Sequence, residues 1–205
     1  MTEHSKISEV AFQHTLILQA WQCLIGEEQV IYVSGPITTG LRWVEALEAG
    51  SPVETNVIAE NCAVIRALAR TLRQQASALV LEPASLHVEQ WSQADYLKLW
   101  TTLIERHAAA VVFVDGWPYS IGCALEFERA ISRGIATQTA NGTSISPTSG
   151  FQAIRQAADD LRKRAIRTPT LAPLALRLSE VAARLASQLP DAVHISDKVT
   201  TPWSS

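Results

Sequence analysis

The chain of 205 residues carries only three cysteines, Cys23, Cys62 and Cys123, and no two of them form a Cys-x-x-Cys pair. An odd, sparse set of thiols excludes a disulfide framework and a cysteine-based zinc site; it suits reduced thiols in a cytoplasmic protein. No run approaches the roughly 18 apolar residues that a membrane-spanning helix needs, so no membrane partner is expected. Met1 to Val10 are polar and acidic where a secretory signal would place a basic end and an apolar run. Basic residues are not massed on one segment and the net charge is -3, which argues against nucleic acid as the main partner. Also missing are Gly-x-Gly-x-x-Gly and a Gly-Lys-Ser/Thr phosphate loop, which removes the two commonest nucleotide fingerprints. His87 and His107 have no acidic or cysteine partners at ligand spacing, so neither a metal nor a cofactor is expected.

What is present is a chain 47% hydrophobic, enough to bury one core with an appendage. Apolar residues at helical spacing predict helices over about Ile7–Leu24, Asn56–Gln75, Gln93–His107 and Ser120 to near Gly134. Short apolar runs predict strands at Gln29–Val33, Ala78–Leu81, Ala110–Val114 and Ile135–Gln138. Between Ser34 and Thr55 the sequence reads as a polar, glycine-containing loop. Strands alternating with helices imply parallel β/α units, hence an α/β fold with a Rossmann-like, flavodoxin-like sheet of about four to five strands.

Residues 1–140 read as this α/β domain. Ala140 to Gly150 are rich in Asn, Gly, Thr, Ser and Pro and read as a mobile loop or linker. Two extra helices, about Ser149–Arg167 and Leu171–Gln188, follow within 141–190. The second has an apolar stripe of Leu174, Leu178, Val181, Leu185 and Leu189, which packs on the core or on a partner subunit. Residues 191–205 read as a tail, with Ala192–Ile195 of no assigned role.

In a parallel sheet, ligands bind beyond the carboxyl ends of the strands. Three loops leave such ends here: Ser34–Gly40, Glu82–Trp91 and Asp115–Ser120. In the first, Ser34, Thr38 and Thr39 offer hydroxyls, while Gly35 and Gly40 allow close backbone approach. The third is the most informative. Ser120 suits a helix N-cap, and the amides that follow it form an anion site. Gly122 lies one turn before Glu126, so the Glu126 carboxylate would project over the space that Gly122 leaves empty. A carboxylate beside an anion site is suited to holding a sugar phosphate and attacking its sugar. Glu128 points off that face and reads as structural.

Two stretches carry a family resemblance: Ile31-Tyr32-Val33-Ser34-Gly35-Pro36-Ile37-Thr38, and Gly116-Trp117-Pro118-Tyr119-Ser120-Ile121-Gly122-x-x-x-Glu126-x-x-x-Ala130. Together they resemble the nucleoside 2-deoxyribosyltransferase-like superfamily, over roughly Val30 to Ile135. The second stretch is closest to its small uncharacterised members. It is also similar to the 2'-deoxynucleoside 5'-phosphate N-hydrolases and to pyrimidine-nucleotide N-glycosidases of antibiotic pathways. The resemblance implies a Rossmann-like homodimer or larger homo-oligomer that cleaves an N-glycosidic bond. It implies Glu126 as nucleophile, Ser120 as the 5'-phosphate ligand where true transferases tend to carry aspartate, and roles for Tyr32 and Asp95. The Ser and Arg that follow the first glycine in the hydrolases are replaced here by Pro36 and Thr38.

A carboxylate near the anomeric carbon stabilises an oxocarbenium-like transition state and can trap the sugar as an ester. An acid near the leaving base is also needed, and Asp95 or Asp115 is available. Trp117 or Tyr119 either stacks on the base or anchors the loop. The expected activity is therefore N-hydrolase or deoxyribosyltransferase action on a nucleotide or nucleoside; a non-catalytic nucleotide-binding module on the same fold is the alternative.

Overall fold

The computed structural model describes residues 3–50 and 53–189. The sequence-defined tail, with Ala192–Ile195, falls outside the described residues. The elements run α1 (Glu3–Ile25), β1 (Val30–Ser34), α2 (Leu41–Glu48), α3 (Val53–Gln75), β2 (Leu79–Leu81), α4 (Gln93–His107), β3 (Ala108–Phe113), α5 (Ile121–Ser132), β4 (Ala136–Thr139), α6 (Pro147–Arg164) and α7 (Ala172–Gln188). Four strands form one all-parallel sheet in the order β2-β1-β3-β4. This is an α/β, Rossmann-like fold, with seven α-helices among the described residues flanking the sheet.

The strand order reverses direction at β1. From β1 the chain crosses outward to β2, then back past β1 to β3. Right-handed crossovers therefore place α3 on one face of the sheet, and α4 and α5 on the other. The cores match. Ile65 and Ala69 of α3 pack with Val33, Val80 and Val114, whereas Tyr32, Leu81, Val111 and Phe113 face a larger core with Leu99, Leu103 and Phe127. Gly35 lets β1 approach α3: a Cβ there would stand 2.5 Å from Cγ1 of Ile65. The crevice where the order reverses lies between the carboxyl ends of β1 and β3, where such sheets bind ligands.

Two sequence expectations are corrected. The polar loop predicted to run to Thr55 contains α2, with Val44 fully buried. Its start carries no Ser, Thr, Asp or Asn cap; Gly40 takes that position at φ 98, a left-handed conformation that hides the usual signal. The supposed linker after Ala140 is instead a tight turn folded back on β4. The Thr139 amide donates to the Thr143 carbonyl at 2.8 Å, and the Ile145 amide to the Thr137 carbonyl at 2.8 Å. Asn141 and Gly142, rich in turn propensity, make that reversal.

Of the two places the apolar stripe of α7 was given, the core is the one it occupies. Leu174, Leu178, Val181 and Leu185 join the larger core together with Phe151, Ile154 and Leu161 of α6. Gly150 marks how closely α6 meets α5, since a Cβ there would overlap the Phe127 ring, 2.0 Å from Cζ. Glu128 holds the other side of α7 through a two-pronged pair with Arg184, at 2.7 and 2.8 Å.

Candidate active site

β1 alternates its side chains, so Tyr32 and Ser34 share one face of the sheet, the face toward α5. Both meet Glu126. The Tyr32 hydroxyl donates to Oε1 at 2.9 Å and the Ser34 hydroxyl donates to Oε2 at 2.6 Å. Each carboxylate oxygen thus has a neutral donor, and no arginine or lysine pairs with it among the described residues. Glu126 is only 6% exposed. Burial pushes its carboxyl up to about 7, and the Ser34 and Tyr32 hydrogen bonds oppose the rise without cancelling it. Burial also raises the Tyr32 phenol well above its ordinary range, reinforced by the Glu126 charge, so Tyr32 remains a proton donor. Near neutrality the site therefore holds a carboxyl that readily exchanges its proton, bracketed by two hydroxyls that keep theirs.

One turn away stands the start of α5. Ser120 is its N-cap, accepting from the Cys123 amide at 3.5 Å, and Thr39 donates to the Ser120 hydroxyl at 3.3 Å. Within 4 Å, a Cβ added to Gly122 would meet only the Ser120 hydroxyl, at 3.8 Å, so no neighbour crowds that position. The first turn contains no acidic residue. Its amides and the helix dipole thus lack a negative partner from α5 itself. Cys123 occupies the third helical position, buried beside Glu126, and burial pushes its thiol up to about 12, which makes it an unreactive neighbour.

The remaining expected residues divide. Thr38 sits at the rim, accepting from the Gln93 side-chain amide at 2.5 Å, which links the β1 loop to the start of α4. Gly35 is buried against α3 and presents no open surface. Asp95 closes a capping box at the start of α4. Both the amide and the hydroxyl of Ser92 donate to its Oδ2, at 2.8 and 2.6 Å, while the Ser92 hydroxyl accepts from the Asp95 amide. Asp115 is exposed beyond β3. Among the described residues, no second carboxylate hydrogen-bonds to Glu126, Tyr32 or Ser34.

Trp117 is not offered to a ligand. It is 6% exposed, with ring centroids 4.7 Å from Phe113 and 5.0 Å from Phe127, so its faces are spent in the core. Tyr119 donates to Asp160 of α6 at 3.0 Å and anchors the loop. The aromatic character of Gly116–Ser120 thus serves to hold the turn that aims Ser120.

Sequence reasoning passed over Asn61. It lies on α3 between Val57 and Ile65 in a stripe spaced by four, each member buried. A lone amide within an apolar stripe is the signal that marks it. No protein family, curated protein or solved structure was found to match this chain.

Proposed function

We propose that the crevice binds a nucleotide or nucleoside and cleaves its N-glycosidic bond, with Glu126 as nucleophile. The observation that carries the reading is the buried Glu126 carboxyl, held by Tyr32 and Ser34 one turn from the Ser120-capped, acid-free start of α5. Ionised Glu126 attacks the anomeric carbon through one oxygen while the carbon–nitrogen bond breaks and its electron pair leaves with the base. The base takes a proton from solvent. Water then attacks the same carbon, the ester bond breaks, and Glu126 recovers its carboxylate as the proton passes to solvent. Tyr32 and Ser34 fix the two oxygens so that one lobe faces the sugar, and they support the charge on Glu126 when the ester breaks. The Ser120 hydroxyl with the amides of Ile121 and Gly122 supplies the 5'-phosphate position.

A cytoplasmic homodimer belongs to the same reading, and the exposed Phe12, Leu16 and Leu24 of α1 are apolar surface that a second subunit would cover. One observation favours the alternative, a non-catalytic nucleotide-binding module: among the described residues no second carboxylate hydrogen-bonds to Glu126 itself. Incubation with a panel of nucleoside 5'-monophosphates and nucleosides, with and without a second free base, separates the readings. Free base from a nucleotide alone supports the hydrolase; exchange only with an added base supports the transferase. Tight binding with no release by either route supports the module.

A further inference from the structure

We infer that Asn61 is a positioning residue for the phosphate end of the site, an inference that rests on the nucleotide-binding reading above. The chain between β1 and α2 is irregular, so its carbonyls find no partner within a helix or strand. Asn61 supplies the partners. Its side-chain amide donates to the Ile37 carbonyl at 3.1 Å and to the Thr39 carbonyl at 3.2 Å. Its Oδ1 accepts from Arg42 at 3.0 Å. Both donors and the acceptor are thus engaged in a position only 2% exposed, where an apolar residue would fit the stripe of Val57, Ile65 and Ala69.

The loop so held carries Thr39, whose hydroxyl reaches Ser120. It also carries Thr38 at the rim and ends on Gly40, which turns into α2 with a Cβ position 2.6 Å from Pro36 Cβ. Asn61 touches neither Glu126 nor Ser120. It acts through the backbone of residues 37–39, setting where the Thr39 hydroxyl stands against the start of α5. Removing it leaves Glu126, Tyr32 and Ser34 in place and loosens the wall of the anion position.

The test compares unmutated protein, Asn61→Ala and Thr39→Val. Steady-state base release is measured on the four 2'-deoxynucleoside 5'-monophosphates and on the matching nucleosides, and inorganic phosphate is titrated by calorimetry. The unmutated protein favours nucleotides by about tenfold or more, the scale of a charge-assisted hydrogen bond. Asn61→Ala raises KM for the nucleotides, leaves kcat and the nucleoside KM nearly unchanged, and weakens phosphate binding. Thr39→Val, which keeps the loop backbone and its bonds to Asn61, lowers the same preference without lowering Tm. Should Asn61→Ala fail to fold, Thr39→Val decides alone. Equal losses on nucleotide and nucleoside in Asn61→Ala overturn the inference, as does an unchanged preference in Thr39→Val or no preference in the unmutated protein. If no substrate releases base, the catalytic reading fails by itself, and the phosphate titrations of the three proteins still decide the role of Asn61.

Discussion

α4 and α5 both begin at the carboxyl side of the sheet and both open on a serine N-cap, yet the two starts are finished differently. At α4, Ser92 is followed at the third helical position by Asp95, whose carboxylate reaches back to the cap and supplies the negative partner from within the chain. At α5 that position holds the buried thiol of Cys123, the second position is Gly122, and no acid appears in the first turn. The carboxylate comes a turn later, as Glu126, and is bound to β1 rather than to its own helix. A closed capping box builds a stable helix end. A small, acid-free start with a buried carboxyl behind it leaves the first-turn amides to a ligand.

The largest effect expected from breaking this contrast is on stability at Glu126. Burial lifts its folded pKa out of the ordinary carboxylate range to about 7, so the folded state holds the proton more tightly. The stabilising contribution is full below the unfolded value and is lost as pH rises through about 7. Glu126→Gln removes that dependence. A shift of this size corresponds to about 3 kcal/mol. Urea unfolding from pH 4 to pH 8 should show the unmutated protein losing stability relative to Glu126→Gln; parallel curves would mean that Glu126 ionises without cost.

The next effect separates the two serines. Ser120→Ala should weaken binding of a nucleoside 5'-monophosphate by about 1–2 kcal/mol, whereas Ser92→Ala should leave it unchanged. Each should lower stability by about 1 kcal/mol through the lost cap. Calorimetry alongside thermal unfolding reads both quantities, and equal binding losses at the two serines would erase the distinction between the helix starts. Smaller still is the effect at Asp95. Asp95→Ala should cost about 1 kcal/mol of stability, as other cap losses do, and change base release by less than about threefold. A loss of a hundredfold or more in rate would return Asp95 to the chemistry as the acid for the leaving base.

The sheet could be read from short apolar runs, and six of the seven described α-helices from apolar residues that repeat near 3.6. α2 escaped because it spans eight residues and begins on Gly40 without a side-chain cap. Ser120, Gly122 and Glu126 were legible as a local motif, since helical geometry alone puts them on one side. The pairing of Glu126 with β1 was not. Tyr32 and Ser34 stand 94 and 92 residues from Glu126, a distance that only the parallel crossover closes. Trp117 shows the opposite failure: an aromatic in a candidate ligand loop looks the same in sequence whether its ring faces a base or, as here, Phe113 and Phe127.

The most direct measurement follows free-base release by chromatography between pH 5 and pH 9 for the unmutated protein and Glu126→Ala, with nucleotide binding checked by calorimetry. With Glu126 as the nucleophile, kcat/KM in the unmutated protein climbs with pH through about 7, as its carboxyl ionises, and then levels. Glu126→Ala still binds the nucleotide and releases no base at any pH. Release by Glu126→Ala near the unmutated rate would contradict the assignment of the nucleophile.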